Sequence, residues 1–197
     1  MLSTISVPTR TILSLTFSAF GPIQYKILSK AAGNTLLYKL PFAGSNQKNM
    51  DTQRTGQLLT LIANKCKSQA DYDNTRRLVL EILDTKRAIV RIGVNDIEDT
   101  FQTGGDIHGF TVSVSAASDD RMRAMIEDVR KKAEHFKPYN HVIMFFFMSE
   151  TSPLTMDELL PLHEWQEEFP DDAMFRWGVA INPPNSPHTL KAVVLIQ

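Results

Sequence analysis

The chain has 197 residues, 43% of them hydrophobic and 22% charged, with a formal net charge of −1. That length fits one domain with appendages, and the near-neutral balance excludes a global pull toward nucleic acid or an anionic membrane. One cysteine, Cys66, excludes an internal disulfide and fits a reducing compartment, which for this chain predicts the cytoplasm.

Residues 1–49 carry Arg10, Lys26, Lys30, Lys39 and Lys48 and no Asp or Glu. The remainder is therefore net acidic. Turn-forming residues are dense here: Pro8, Gly21-Pro22, Gly33-Asn34, Pro41 and Gly44-Ser45-Asn46. They predict an irregular or mobile extension, with short strands or a turn of helix near residues 24–30. Its basic, Ser/Thr-rich composition is also that of a targeting segment. The reading preferred over targeting is a mobile extension, or a start upstream of the natural one with Met50 as the true beginning. No stretch holds the ~20 uninterrupted apolar residues of a membrane span.

From Met50 the pattern turns helical. Leu58, Leu61 and Ile62 follow helical spacing, and Asp51 can cap the start. A second helix is predicted over 69–84, with Tyr72, Leu78, Val79, Ile82 and Leu83 as its apolar stripe. These two helices, within a segment 50–94, are expected to cover one face of a sheet. Residues 88–92 read as a short strand or the end of the helical region. Residues 95–105, with Asp96, Asp99 and Gly104-Gly105, read as a polar loop.

Residues 107–115 alternate, placing Phe110, Val112 and Val114 on one face of a strand. Ser118 or Asp119 is expected to cap a helix running to Phe136. Its apolar positions are Met122, Met125, Ile126, Val129 and Ala133, and its other face carries Arg121, Arg123, Glu127, Asp128, Arg130, Lys131 and Lys132. The run from Val142 to Met148 is apolar throughout, which demands a strand buried on both faces at the centre of the sheet. Thr155 and Glu158 have the spacing of a capping box. Pro161 should kink the following helix or delay its start. Residues 175–181 alternate as a strand, and residues 190–196 form the last. The expected fold is α+β: a mixed four-stranded sheet, order β-α-β-α-β-β, with two helices on one face. The last two strands are expected to form an antiparallel hairpin.

Local motifs over residues 95–197 resemble the C-terminal domain of the FtsZ/tubulin family. Asp96-Ile97-Glu98-Asp99 resembles the Asp-x-x-Asp of the family's synergy loop. Gly104-Gly105-Asp106-Ile107-His108-Gly109 stands where the family enters its next strand. Leu154-Thr155-Met156-Asp157-Glu158-Leu159 resembles the start of its second helix, and Phe175-Arg176-Trp177-Gly178-Val179-Ala180-Ile181 the strand that follows. The resemblance implies an assembly fold without its nucleotide-binding half, because no Gly-rich phosphate loop occurs in the chain. It also implies that Asp96 and Asp99 are the only candidate catalytic carboxylates, acting on a partner subunit's nucleotide. The family writes Asn-x-Asp, whereas here Asn95 abuts Asp96.

Other chemistry is sparse. His108, His135, His141, His163 and His188 lack metal-ligand spacing, apart from a loose His163/Glu167 pair, so neither metal nor cofactor is expected. Cys66 is read on a helix beside Lys65 and Lys67, which would lower its pKa. The basic strip of Arg121, Arg123, Arg130, Lys131 and Lys132 is interleaved with acids and reads as a salt-bridged face rather than a nucleic-acid site. Trp165 and Trp177 read as core. Glu164, Glu167, Glu168, Asp171 and Asp172 form an acidic surface. Two functions follow. One is a non-catalytic interaction module that docks on an FtsZ-type filament subunit or self-associates. The other is a small oligomeric enzyme or ligand-binding protein of the chorismate-mutase type, with Arg87 or Arg91 meeting Glu98 across a subunit boundary.

Overall fold

The computed structural model describes residues 25–29, 35–39, 48–182 and 188–197, with side chains from 53 onward. The chain divides into two compact units, Met1–Phe42 and Ala43–Gln197. In the first, β1 (Tyr25–Ser29) and β2 (Thr35–Lys39) form an antiparallel pair, with Tyr25 opposite Lys39 and Ser29 opposite Thr35. The expectations of an irregular head and of a targeting segment otherwise fall on residues outside those described.

The second unit begins with two helices, α1 (Lys48–Asn64) and α2 (Gln69–Leu83). Ser68 caps α2, its hydroxyl accepting from the Asp71 amide at 3.1 Å. A short strand, β3 (Ala88–Val90), leads to helix α3 (Val94–Phe101). Then follow β4 (His108–Ser115), α4 (Arg121–Ala133), β5 (His141–Met148), α5 (Leu160–Gln166), β6 (Met174–Ile181) and β7 (Thr189–Ile196). Two 3₁₀ turns, Glu134–Phe136 and Asp157–Leu159, extend α4 and introduce α5. The fold is α+β with a mixed sheet, as expected.

The sheet has five strands in the order β3-β6-β5-β7-β4, one more than predicted. The extra strand, β3, is only three residues long and lies antiparallel to β6 at the edge. All eight residues of β5 are buried, and it takes the central position. It pairs parallel with β6 and antiparallel with β7. The expected hairpin between the last two strands does not form: β6 and β7 flank β5 on opposite sides. Residues Ala192 to Ile196 are all buried, so β7 needs cover on both faces and strand neighbours on both edges, which β5 and β4 supply.

Register divides the side chains between two faces. Ile143, Phe145, Phe147, Ala180, Val193 and Leu195 pack with Leu58 and Ile62 of α1, Leu78, Val79 and Ile82 of α2, and Ile97 and Phe101 of α3. On the other face Phe175 meets Trp165 of α5 edge-on, at 5.4 Å and 87°. Each large side chain buried in these layers contributes about 1.5–3 kcal/mol. Helices therefore cover both faces, α1 to α3 on one and α5, with its neighbour α4, on the other. The two helices predicted for one face are α4 and α5.

One local expectation needs correction, and two others are met. Residues 94–101 are a helix, not a polar loop: Ile97, Thr100 and Phe101 are buried at helical spacing, and the Asp96 carboxylate accepts from the Gly93 amide at 2.8 Å to cap the start. Pro161 occupies the first turn of α5, so it delays the helix rather than kinking it. The capping box stands as predicted, with the Thr155 amide donating to Glu158 Oε2 at 2.9 Å and the Glu158 amide to Thr155 Oγ1 at 3.4 Å. Among the described residues no helix is long and apolar enough to cross a membrane.

Candidate functional site

Asp96 and Asp99 lie one turn apart on α3 and face Arg176 of β6. Arg176 Nη1 donates to Asp96 Oδ1 at 3.0 Å, and Nη2 stands 3.8 Å from Asp99 Oδ2. The other Asp96 oxygen is taken by the Gly93 amide. Both oxygens of Asp96 are therefore engaged within the chain, holding α3 to the sheet. Asp99 stays mostly exposed.

A second constellation sits at the start of α4. Arg121, placed on the exposed face by its helical spacing, is buried, 4% exposed. Its Nε and Nη2 form a fork with both oxygens of Glu158, at 2.7 and 3.0 Å. Nη1 donates to the carbonyls of Ala116 and Ser152, each at 3.0 Å, and Nη2 donates to the Pro153 carbonyl at 2.9 Å. Arginine's planar, five-donor group suits such a cage. Burial pushes the Glu158 carboxyl up, but the hydrogen bonds from Arg121 and the Thr155 amide outweigh it and leave the group below its ordinary range. Sequence spacing gave one cue, the apolar positions of α4 beginning right beside Arg121. The partner on a distant turn could not be read from it.

The same corner carries a surface feature. A cleft of about 230 Å³ opens between the first turns of α4 and α5, lined by Asp119, Asp120, Asp157, Leu160 and Pro161, with the Arg121–Glu158 pair as its floor. Leu160 is 56% exposed and Met156 36%, the exposed large hydrophobic side chains among the described residues. Arg123 links Asp120 to Glu164 at the rim, at 3.1 and 3.7 Å. The predicted acidic surface continues past the end of α5, where Glu168 meets Arg130.

The remaining candidates are dispersed. Cys66 lies in the turn after α1, not on a helix, and burial pushes its thiol up rather than down. Its Sγ stands 3.9 Å from the Ile107 carbonyl. No three His, Cys, Asp or Glu side chains among the described residues gather as metal ligands would. Arg87 meets Glu150 at 2.7 Å, Arg91 is exposed beyond β3, and Glu98 lies on α3. Trp165 is core, as expected, whereas Trp177 is half-buried.

The fold places the chain among mixed α+β proteins with helices on both sheet faces. No protein-family model matches the sequence. No curated protein matches it either. Among solved structures it is similar to a point mutant of FtsZ from M. jannaschii, at 15% identity and a TM-score of 0.48. The match covers 66% of this chain and 39% of that one.

Proposed function

We propose that this chain is a non-catalytic protein-interaction module, docking on an FtsZ-type filament subunit or on a second copy of itself. The reading rests on the surface around Met156 and Leu160. A lone exposed leucine is ordinary. Here two exposed apolar side chains stand beside a cleft whose rim carries Asp119, Asp120 and Asp157. That combination suits a partner presenting an apolar anchor flanked by Lys or Arg. The stretch is also the one that resembles the family's second helix. Engagement of Asp96 by Arg176 and Gly93 supports the non-catalytic half of the reading, and a lone thiol fits the cytoplasm.

Co-sedimentation with polymerising FtsZ, together with light scattering for self-association, tests it. Binding at micromolar concentration, weakened at least about tenfold by Leu160→Asp, is expected for a buried anchor. A monomer that stays in the supernatant would sink the proposal.

A further inference from the structure

His141 opens β5, and Gln197 follows the last residue of β7. The two face each other. The His141 amide donates to the Gln197 carbonyl at 3.1 Å, and the Gln197 amide to the His141 carbonyl at 3.0 Å. A pair bonded in this way holds its Cβ atoms about 5.5 Å apart on one face of the sheet. That face lies under α1 to α3, because Ile143 and Leu195, two residues along each strand, pack there. Both residues are buried, His141 at 9% and Gln197 at 7% exposure.

Each carries an atom without a partner. His141 Nδ1 and Gln197 Oε1 are sealed from solvent, and among the described residues neither makes a hydrogen bond. The Gln197 amide is fixed, since its Nε2 donates to the Gly105 carbonyl at 2.7 Å and a flipped group would set two oxygens face to face. Because Oε1 is sealed, its donor has to come from inside the fold. The ring directly opposite holds a nitrogen in the same condition. Two orphan acceptors side by side are costly, whereas one proton between them satisfies both.

We propose that His141 carries its proton on Nδ1 and donates it to Gln197 Oε1, so that ring and amide form an acid-sensitive clasp from β5 through β7 to the Gly105 carbonyl. Lys65 holds the same turn from the end of α1, donating to the Gly104 carbonyl at 3.2 Å. Nε2 of the ring is not sealed, so a second proton can reach it there. Among the described residues the charges acting on the ring are Lys65 and, just before β6, Asp172; α3 and β7, which also pack on β5, add none. Burial first, and then Lys65, hold the ring below its ordinary range, against Asp172, so at neutral pH it is uncharged. Acid then places a cation at a buried position beside Lys65. Stability from the neutral ring is complete above the ordinary 6.5 and is lost as pH falls toward the folded value. The clasp is closed at neutral pH and loosens in acid.

The test records long-range ¹H–¹⁵N spectra of the labelled 197-residue chain during a pH titration. With the ring neutral, the proton is expected on Nδ1 and Nε2 should be bare. On acidification the Gly104 and Gly105 amide signals should shift with the same midpoint as the ring. Gln197→Leu removes the acceptor, and should move the proton to Nε2 and uncouple the glycine signals from the ring. If that variant fails to fold, the tautomer in the unaltered chain still decides. A neutral ring protonated on Nε2 would overturn the proposal, as would glycine signals that ignore the midpoint of the ring.

Discussion

Arg121 reaches five acceptor groups from one buried position, the Glu158 carboxylate, the carbonyls of Ala116, Ser152 and Pro153 and the Ser152 hydroxyl, and only the first carries charge. A guanidinium 4% exposed is tolerable because Glu158 neutralises it and backbone carbonyls take the remaining N–H groups. Glu158 in turn caps the turn that leads into α5. Removing the carboxylate leaves the cation buried without its partner. Glu158→Ala is therefore expected to cost about 3 kcal/mol, near the lower end for broken buried pairs, because Glu158 keeps about a quarter of its side-chain surface in water. Urea denaturation read by circular dichroism measures it. The sign of the pH dependence follows from the same contacts. A carboxyl whose folded pKa lies below the ordinary 4.5 contributes stability that is complete above pH 4.5 and is lost as pH falls through the folded value. Glu158→Gln should flatten that part of the acid limb. An unchanged acid limb in the variant would assign the loss to other carboxylates.

At the scale of elements, one glycine and one edge explain how the layers close. Gly178 on β6 lies opposite Phe145 on β5, and a Cβ there would stand 2.6 Å from the Phe145 ring and 2.9 Å from the Val90 carbonyl. The gap lets edge strand β3 pair on one side while a fully buried phenylalanine fills the other. Gly178→Ala should cost about 1–3 kcal/mol by overpacking, read as a lowered melting temperature with no change of secondary structure at 25 °C. At the opposite edge, β4 is eight residues long and would invite pairing with another chain. Asn74 of α2 donates to the Gly109 carbonyl at 2.6 Å and Lys132 of α4 to the Thr111 carbonyl at 2.7 Å, one from each helical layer. The double variant Asn74→Ala, Lys132→Ala is expected to raise sedimentation-detected oligomers with little loss of helical signal. These same elements mark what the sequence could reveal. The unbroken apolar run of β5 dictated a central strand, and the alternation of Phe110, Val112 and Val114 oriented β4. Strand order did not follow, because β7 reads as apolar whether it pairs with β6 or inserts beside β5. Helix α3 hid among acidic residues whose polarity suggests a loop; only the Ile97–Phe101 spacing, four residues apart, signals its buried face. The Arg121 cage and the bond from the Gln197 amide to the Gly105 carbonyl depend on contacts across 37 and 92 positions, beyond any local pattern.

For the whole molecule, the question is how much of the chain the core requires. Every buried residue of the cluster that joins α1, α2 and α3 to the sheet lies between Leu58 and Leu195, inside the unit Ala43–Gln197. That cluster includes Phe101, Phe145, Ile143, Leu78 and Ile62, all fully buried, packed between α1 to α3 and one face of the sheet. The strands that carry it are locked by full ladders: β4 to β7 over eight register pairs, and β5 to β6 over another eight. A unit with its own core and closed ladders meets the physical definition of a folding domain. A fragment spanning residues 43–197 is therefore expected to fold by itself and to unfold in one cooperative step, with a stability within the ordinary range of about 5–15 kcal/mol. Urea melts followed in parallel by far-ultraviolet circular dichroism and by the fluorescence of buried Trp165 check this. Coincident transitions support a single cooperative unit. Separate transitions would show that the α1–α3 layer and the α4–α5 layer hold to the sheet independently, and a fragment without a transition would show that the core depends on residues 1–42.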